Sequence, residues 1–369
     1  MESPIVTPGD YIRNELEARG WLQRDLAFVL GLPEQAVNAV VLGKRGITAD
    51  LARLLSVAFN KPAEFFLTLQ NAKDLSQAKT PDARVVRMVQ LQSAYPLREM
   101  IKRGWIDGAP NALETELAKF FGVATAEDLP HISYAAKKTT YGLTPPLQLA
   151  WLFRVKQIAA EMVLPTYSEK KLRDALPKLH ALMSAPEEAR HVPRILSECG
   201  IRFVIVESLP AAKIDGVCFW LENGKSPVVG MSLRFDRIDN FWFVLMHELE
   251  HVFNKDGKTD AMLDDLEGEK AGTGDGIPEQ ERLANAAAAA FCVPPKEMDS
   301  WVARKHPYYS EADLLGFARR IHVHPGIVAG QLRSRTNNYK IFTKYLAKIR
   351  SIVTATAVVD GFGQLAPVL

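Results

Sequence analysis

Phe241-Trp242-Phe243-Val244-Leu245-Met246-His247-Glu248-Leu249-Glu250-His251 is the stretch from which this chain is read. Its last five residues spell H-E-x-x-H. The six apolar residues before them contain no Gly or Pro, and Asp236 and Asp239 offer capping oxygens upstream, so the pattern predicts a helix. Residues four apart share a helix face. The His247 and His251 imidazoles can then meet one metal ion, and Glu248 between them can take a proton from a water at that metal. This is the residue pattern of a zinc hydrolase. The bland alternative is a charged helical face that matches by chance, and the apolar, capped context argues against it.

A catalytic zinc takes three protein groups and keeps one position open. About thirty residues on, Pro278-Glu279-Gln280-Glu281-Arg282-Leu283-Ala284-Asn285 runs into an Ala-rich stretch ending at Phe291-Cys292-Val293-Pro294-Pro295. Pro in the first turn followed by strong helix formers predicts a second helix, and its small residues allow close packing. Glu281 shares a face with Asn285 and is the expected third ligand. Glu279 competes with it. Either acid also fits as a group favoured by the helix dipole.

H-E-x-x-H followed by E-x-x-A-N on a small-residue helix ending in Val-Pro resembles the ImmA/IrrE family of zinc metallopeptidases. The resemblance extends over strand-like runs at Ile201–Val206, Gly216–Trp220 and Val228–Leu233, and on to Phe317-Ala318 and His324–Leu332. It implies Zn2+ held by His247, His251 and Glu281, with Glu248 as general base. Three positions depart from the family pattern: Glu250 for a common Gly or Ala, Lys255 for a frequent His, and Ala287 for a common Phe. None is among the four core positions.

The other end of the chain carries a second pattern. Thr7-Pro8-Gly9-Asp10 opens a helix with Tyr11, Ile12 and Leu16 on its apolar face. Trp21–Gly31 reads as a short helix stopped by Gly, Leu32-Pro33-Glu34-Gln35 starts a third that runs to Gly43, and Thr48 caps a fourth carrying Leu51, Leu54, Leu55 and Ala58. The segment resembles the XRE-type helix-turn-helix domain, in its HigA-like antitoxin branch, down to Pro62-Ala63-Glu64-Phe65-Phe66-Leu67-Thr68-Leu69-Gln70. The resemblance implies that the third helix enters the major groove. Glu34, Gln35 and Asn38 would reach base edges, and Gln23, Lys44 and Arg45 would touch phosphate. Acids and bases nearly balance here, so a protein-binding helical bundle is the alternative.

Composition limits the rest. At 369 residues two or three domains are expected, and a net charge of +2 gives no global steering toward nucleic acid. No leader or long apolar span is read, and three Cys fit a reducing cytoplasm, with Cys292 a small core residue. Residues 71–195 read as mostly helical (85–91, 97–105, 113–121, 147–162, 170–183 and 190–199), with Pro130–Pro146 a linker. Asp256–Gly276 reads as a solvated loop, with a lid as the functional alternative. His324 is a candidate to stabilise an oxyanion, or else a plain cap. Arg333, Arg335, Lys340, Lys344, Lys348 and Arg350, interleaved with apolar residues, suggest a terminal helix docked on its own domain, with a partner-binding basic helix as alternative.

The expected fold is mainly α with a small β-sheet (α+β). A five-helix helix-turn-helix domain occupies 1–70, a helical connecting region 71–165, a zincin-like metallopeptidase domain 166–350 and a tail 351–369. The expected function is that of a cytoplasmic, homodimeric regulator. It binds an inverted repeat in double-stranded DNA and cleaves a protein partner through zinc. The alternative is an antitoxin-like repressor whose zinc domain binds a toxin or senses a signal without proteolysis.

Overall fold

The computed structural model describes residues 6–109, 111–124, 145–258, 262–264 and 278–360, with backbone alone at 262–264. The chain forms two compact units, Met1–Met88 and Val89–Leu369. Most of the expected linker Pro130–Pro146 and most of the expected loop Asp256–Gly276 lie outside the described residues. No helix among the described residues is long and apolar enough to cross a membrane.

The first unit holds five helices: α1 (Pro8–Arg19), α2 (Gln23–Leu30), α3 (Glu34–Val41), α4 (Ala49–Phe59) and α5 (Ala63–Gln77). Thr7 caps α1 by accepting from the Asp10 amide at 3.2 Å, and Thr48 caps α4 by accepting from the Leu51 amide at 3.4 Å. Gly20 and Gly31 end α1 and α2 in the left-handed region, where Gly carries no Cβ penalty. Ile12, Leu26, Leu55, Phe59 and Phe66 close one apolar core, each at most 1% exposed. Burying a side chain of that size is worth about 1.5–3 kcal/mol, so these five anchor the unit. Gln70 has a task of its own: its Oε1 accepts from the Ile47 amide at 3.0 Å, which ties α5 to the loop after α3.

In the second unit, β1 (Arg202–Ile205), β2 (Gly216–Leu221), β3 (Ser226–Met231), β4 (Met262–Asp264) and β5 (Val358–Val359) form a sheet in the order β4-β2-β3-β1-β5. β1 runs parallel to β3 and β5, and β2 runs antiparallel to β3 and β4. Two of these strands fall where none was expected: β4 in the stretch read as a loop, and β5 in residues read as a tail. A two- or three-residue strand has no periodicity to read, and only its pairing partner defines it.

Two helices sandwich the sheet. α9 (Pro146–Glu161) packs on one face at Gly230, where a Cβ would sit 2.7 Å from Val155 Cγ1. On the other face lies α12 (Ile238–Asn254), whose Glu248 abuts Gly216. Gly216 and its neighbour Val217, which pairs with Gly230, point to opposite faces because strand side chains alternate. The middle region is therefore more than a connector, and Trp151 of α9 donates Nε1–H to the Val206 carbonyl at 2.8 Å. From the short helix Leu97–Lys102 the chain reaches Arg103, whose guanidinium donates to the carbonyls of Glu207 and Ser208.

Residues 333–350 differ from expectation. Residues 333–336 close the helix Pro325–Thr336, and beyond it no long helix follows: a 3-10 turn lies at Thr343–Tyr345 and a short helix at Arg350–Val353. Ile341, Phe342, Tyr345 and Ile349 pack into the unit's own core. Arg333 is buried and donates to the Tyr339 carbonyl, and Arg350 pairs with Glu207 at 2.9 Å. Intramolecular acceptors, rather than a partner, take up these two charges.

Candidate metal centre and nucleic-acid interface

α12 is buried nearly all round, as befits a helix under a sheet. Asp236 does not cap it; Arg237 holds that position, and Asp236 Oδ1 instead accepts from the Ile349 and Arg350 amides. Asp239 lies in the first turn and pairs with Arg237 at 3.1 Å. His247, Glu248 and His251 are all 0% exposed. Burying such groups is costly unless they are paired or bound to metal.

Pro278 leads α13 (Glu279–Cys292) alongside α12, with Ala284 and Ala288 fully buried between them. That close approach delivers Glu281. Its carboxylate lies 3.2 Å from His247 Nε2 and 3.5 Å from His251 Nε2, and the two Nε2 atoms are 3.0 Å apart. Glu279 points away, with its side chain 78% exposed beside Arg282. The His247, His251 and Glu281 donor atoms all lie within 4.8 Å of one another, close enough to share one ion. Zinc bonds of roughly 2.0–2.2 Å in a tetrahedron place neighbouring donors about 3.3–3.6 Å apart, so the Glu281 spacings of 3.2 and 3.5 Å suit zinc and the two Nε2 atoms at 3.0 Å need only part slightly. Without metal, burial raises the Glu281 carboxyl, but hydrogen bonds and charge from protonated His247 and His251 outweigh that and hold it well below the usual carboxylate range; a metal ion would take the place of those protons.

Two contributors escaped the sequence reading. Asp256 Oδ2 lies 2.9 Å from His251 Nδ1, with its side chain 10% exposed. It follows the helix by two residues, where no periodicity marks it. Gly216 leaves room for the Glu248 carboxylate, which a Cβ would overlap. Of the two tasks considered for His324, the structure shows the cap. His324 is the N-cap of the helix Pro325–Thr336: its Nδ1 accepts from the Gly326 amide at 3.1 Å, and its amide donates to Met183. Burial lowers its imidazole pKa, against a smaller upward pull from Glu187, and the neutral ring suits an accepting Nδ1.

In the first unit Glu34, Gln35 and Asn38 are exposed on the N-terminal part of α3, Lys44 and Arg45 are exposed just after it, and Gln23 is half-buried at the start of α2. Val37, Val40 and Val41 on the other side of α3 are buried. Polar residues thus face out from a helix whose apolar side is fixed, which is what a groove-reading helix needs.

Comparison with known proteins separates the same two ends. Residues 12–66 match the helix-turn-helix family model, and residues 198–333 match that of the IrrE N-terminal-like domain. Virulence-associated protein A' of Dichelobacter nodosus is 39% identical over 83 residues, 22% of this chain and 72% of that protein. Virulence-associated protein I of the same organism is 37% identical over 79 residues, 21% and 73%. The uncharacterized HTH-type transcriptional regulator YddM of Escherichia coli is 30% identical over 86 residues, 23% and 92%. Among solved structures, that of a hypothetical protein from E. coli matches 29% of this chain and 95% of its own, at 26% identity and a TM-score of 0.19.

Proposed function

The chain belongs to the helix-turn-helix family through residues 12–66 and to the IrrE N-terminal-like family through residues 198–333, and on that premise we propose a DNA-binding transcription regulator whose second unit is a zinc endopeptidase acting on a regulatory protein partner. The first unit binds an inverted repeat as a homodimer, with Gln35 and Asn38 at base edges and Lys44 and Arg45 at phosphates.

The observation that carries the peptidase reading is Glu248. It is fully buried on the same helix as two converging imidazoles, one residue from the first of them. His247, His251 and Glu281 would hold the zinc, which supplies Lewis-acid polarisation of the scissile carbonyl. Glu248 takes the proton of the attacking water and returns it to the leaving amide nitrogen. A structural zinc has no use for such a base and is usually closed by four Cys or His ligands. Cys199, Cys218 and Cys292 are separately buried, and none joins the three-residue cluster.

The test compares Glu248→Gln with His247→Ala in cells at matched protein levels. Loss of regulated expression in both, with zinc retained in Glu248→Gln, is the expected result. Normal regulation in Glu248→Gln together with failure in His247→Ala would replace proteolysis with binding alone.

A further inference from the structure

We propose that Asp256 is the positioning residue that sets His251 for metal binding, and that Trp220 of β2 and Gly257, just past α12, hold Asp256 in place. This rests on the zinc reading above. A neutral imidazole carries its hydrogen on one nitrogen, and a carboxylate only accepts. The 2.9 Å contact between His251 Nδ1 and Asp256 Oδ2 therefore puts the hydrogen on Nδ1. The Nε2 lone pair is left facing His247 Nε2 and Glu281. The other tautomer would present an N–H to the ion and could not bind it.

The chain is built to bring that carboxylate back. Lys255 adopts φ 61° and ends α12. The Lys255 and Asp256 amides close on the Val252 and His251 carbonyls at 3.2 and 2.9 Å. The Asp256 carbonyl accepts from Trp220 Nε1 at 2.8 Å. Gly257, at φ 74°, lies so close to β2 that a Cβ would sit 2.5 Å from the Cys218 carbonyl oxygen. Backbone groups and the indole thus hold the turn, and among the described residues the Asp256 carboxylate meets His251. Removing that carboxylate should leave the helix end intact.

The experiment measures zinc affinity of the full chain by chelator competition, and the visible spectrum of the Co2+-loaded protein. Asp256→Ala and Asp256→Asn are compared with wild type, and circular dichroism of the metal-free proteins reports the fold. In Asp256→Ala, loss of the oriented acceptor should weaken zinc binding by about 10–100-fold and change the Co2+ spectrum, with the fold retained; Asp256→Asn keeps a neutral acceptor oxygen and should weaken it less. Trp220→Phe should move affinity the same way by less, through loss of the indole N–H. Wild-type affinity in a folded Asp256→Ala protein would overturn the assignment while leaving the zinc centre standing. A folded wild-type chain that takes up no zinc would overturn both.

Discussion

Gly216 of β2 and Glu248 of α12 share one space: a methyl group on Gly216 would overlap the Glu248 carboxylate. The missing side chain lets a buried acid lie against the sheet. Gly216→Ala should therefore displace Glu248 without touching His247, His251 or Glu281. Zinc content should stay at wild type, while hydrolysis of the protein partner falls by about 10²-fold or more, the usual worth of a general base. Unchanged turnover in a folded Gly216→Ala protein would show that Glu248 needs no such place.

Glu281 and Glu279 sit two residues apart and differ in exposure, 15% against 78% for the side chains. Glu281→Gln removes an anionic donor from the cluster and should lower zinc retention after dialysis. Glu279→Gln should leave it unaltered. Equal retention in the two variants, read by metal analysis, contradicts the ligand assignment.

On DNA, Gln35→Ala or Asn38→Ala should cost about 1–3 kcal/mol at the matched base pairs. Lys44→Ala should instead weaken all sequences alike and reduce the salt slope by about one. Titrations of promoter and scrambled duplexes across salt concentrations separate the two. A wild-type protein that binds both duplexes equally at physiological salt refutes sequence recognition.

Gly9 sets two effects against each other. Gly within a helix ordinarily costs about 1 kcal/mol relative to Ala, so Gly9→Ala would be stabilising in an isolated α1. Here a Cβ would collide with the Val41 backbone carbonyl at the end of α3. Backbone cannot swing aside as a side chain can, so the collision should win and the thermal midpoint of the DNA-binding unit should fall. A raised midpoint would mean that α1 and α3 do not approach so closely.

The cysteines provide a check on packing. All three are buried. Burial pushes the Cys292 thiol far up and also raises Cys199. A raised thiol pKa lowers the thiolate fraction at pH 8, and burial excludes the reagent. Native protein should react with a thiol reagent at that pH only after denaturation, and then at three sites. Rapid labelling of Cys292 in the folded protein would contradict the close packing of α13.

Residue types and spacing alone carried the helical motif at His247–His251, the Pro-led α13, and the capped helices of the first unit. Each signal is local: a 3.6-residue period, a capping oxygen, a Gly at a helix end. The pattern also brought Glu281 forward, with Glu279 as its main competitor. What separated them was the packing of α13 on α12, which a periodicity does not encode. Asp256 and Gly216 were invisible for the same reason, since one acts across a left-handed turn and the other by the absence of an atom facing a distant helix. Tertiary structure likewise broke the basic segment after the helix Pro325–Thr336 into short turns docked on the unit's own core, where Arg333 and Arg350 find acceptors in the Tyr339 carbonyl and Glu207. It also gave His324 a capping task and made strands of 262–264 and 358–359, whose identity lies wholly in their neighbours. Residue types and local period marked out the two imidazoles, the glutamate between them and the acids from which a third donor could come. Only the packed sheet and helices decided which of the protein's acids stand beside the histidines, because that depends on distances between residues far apart along the chain.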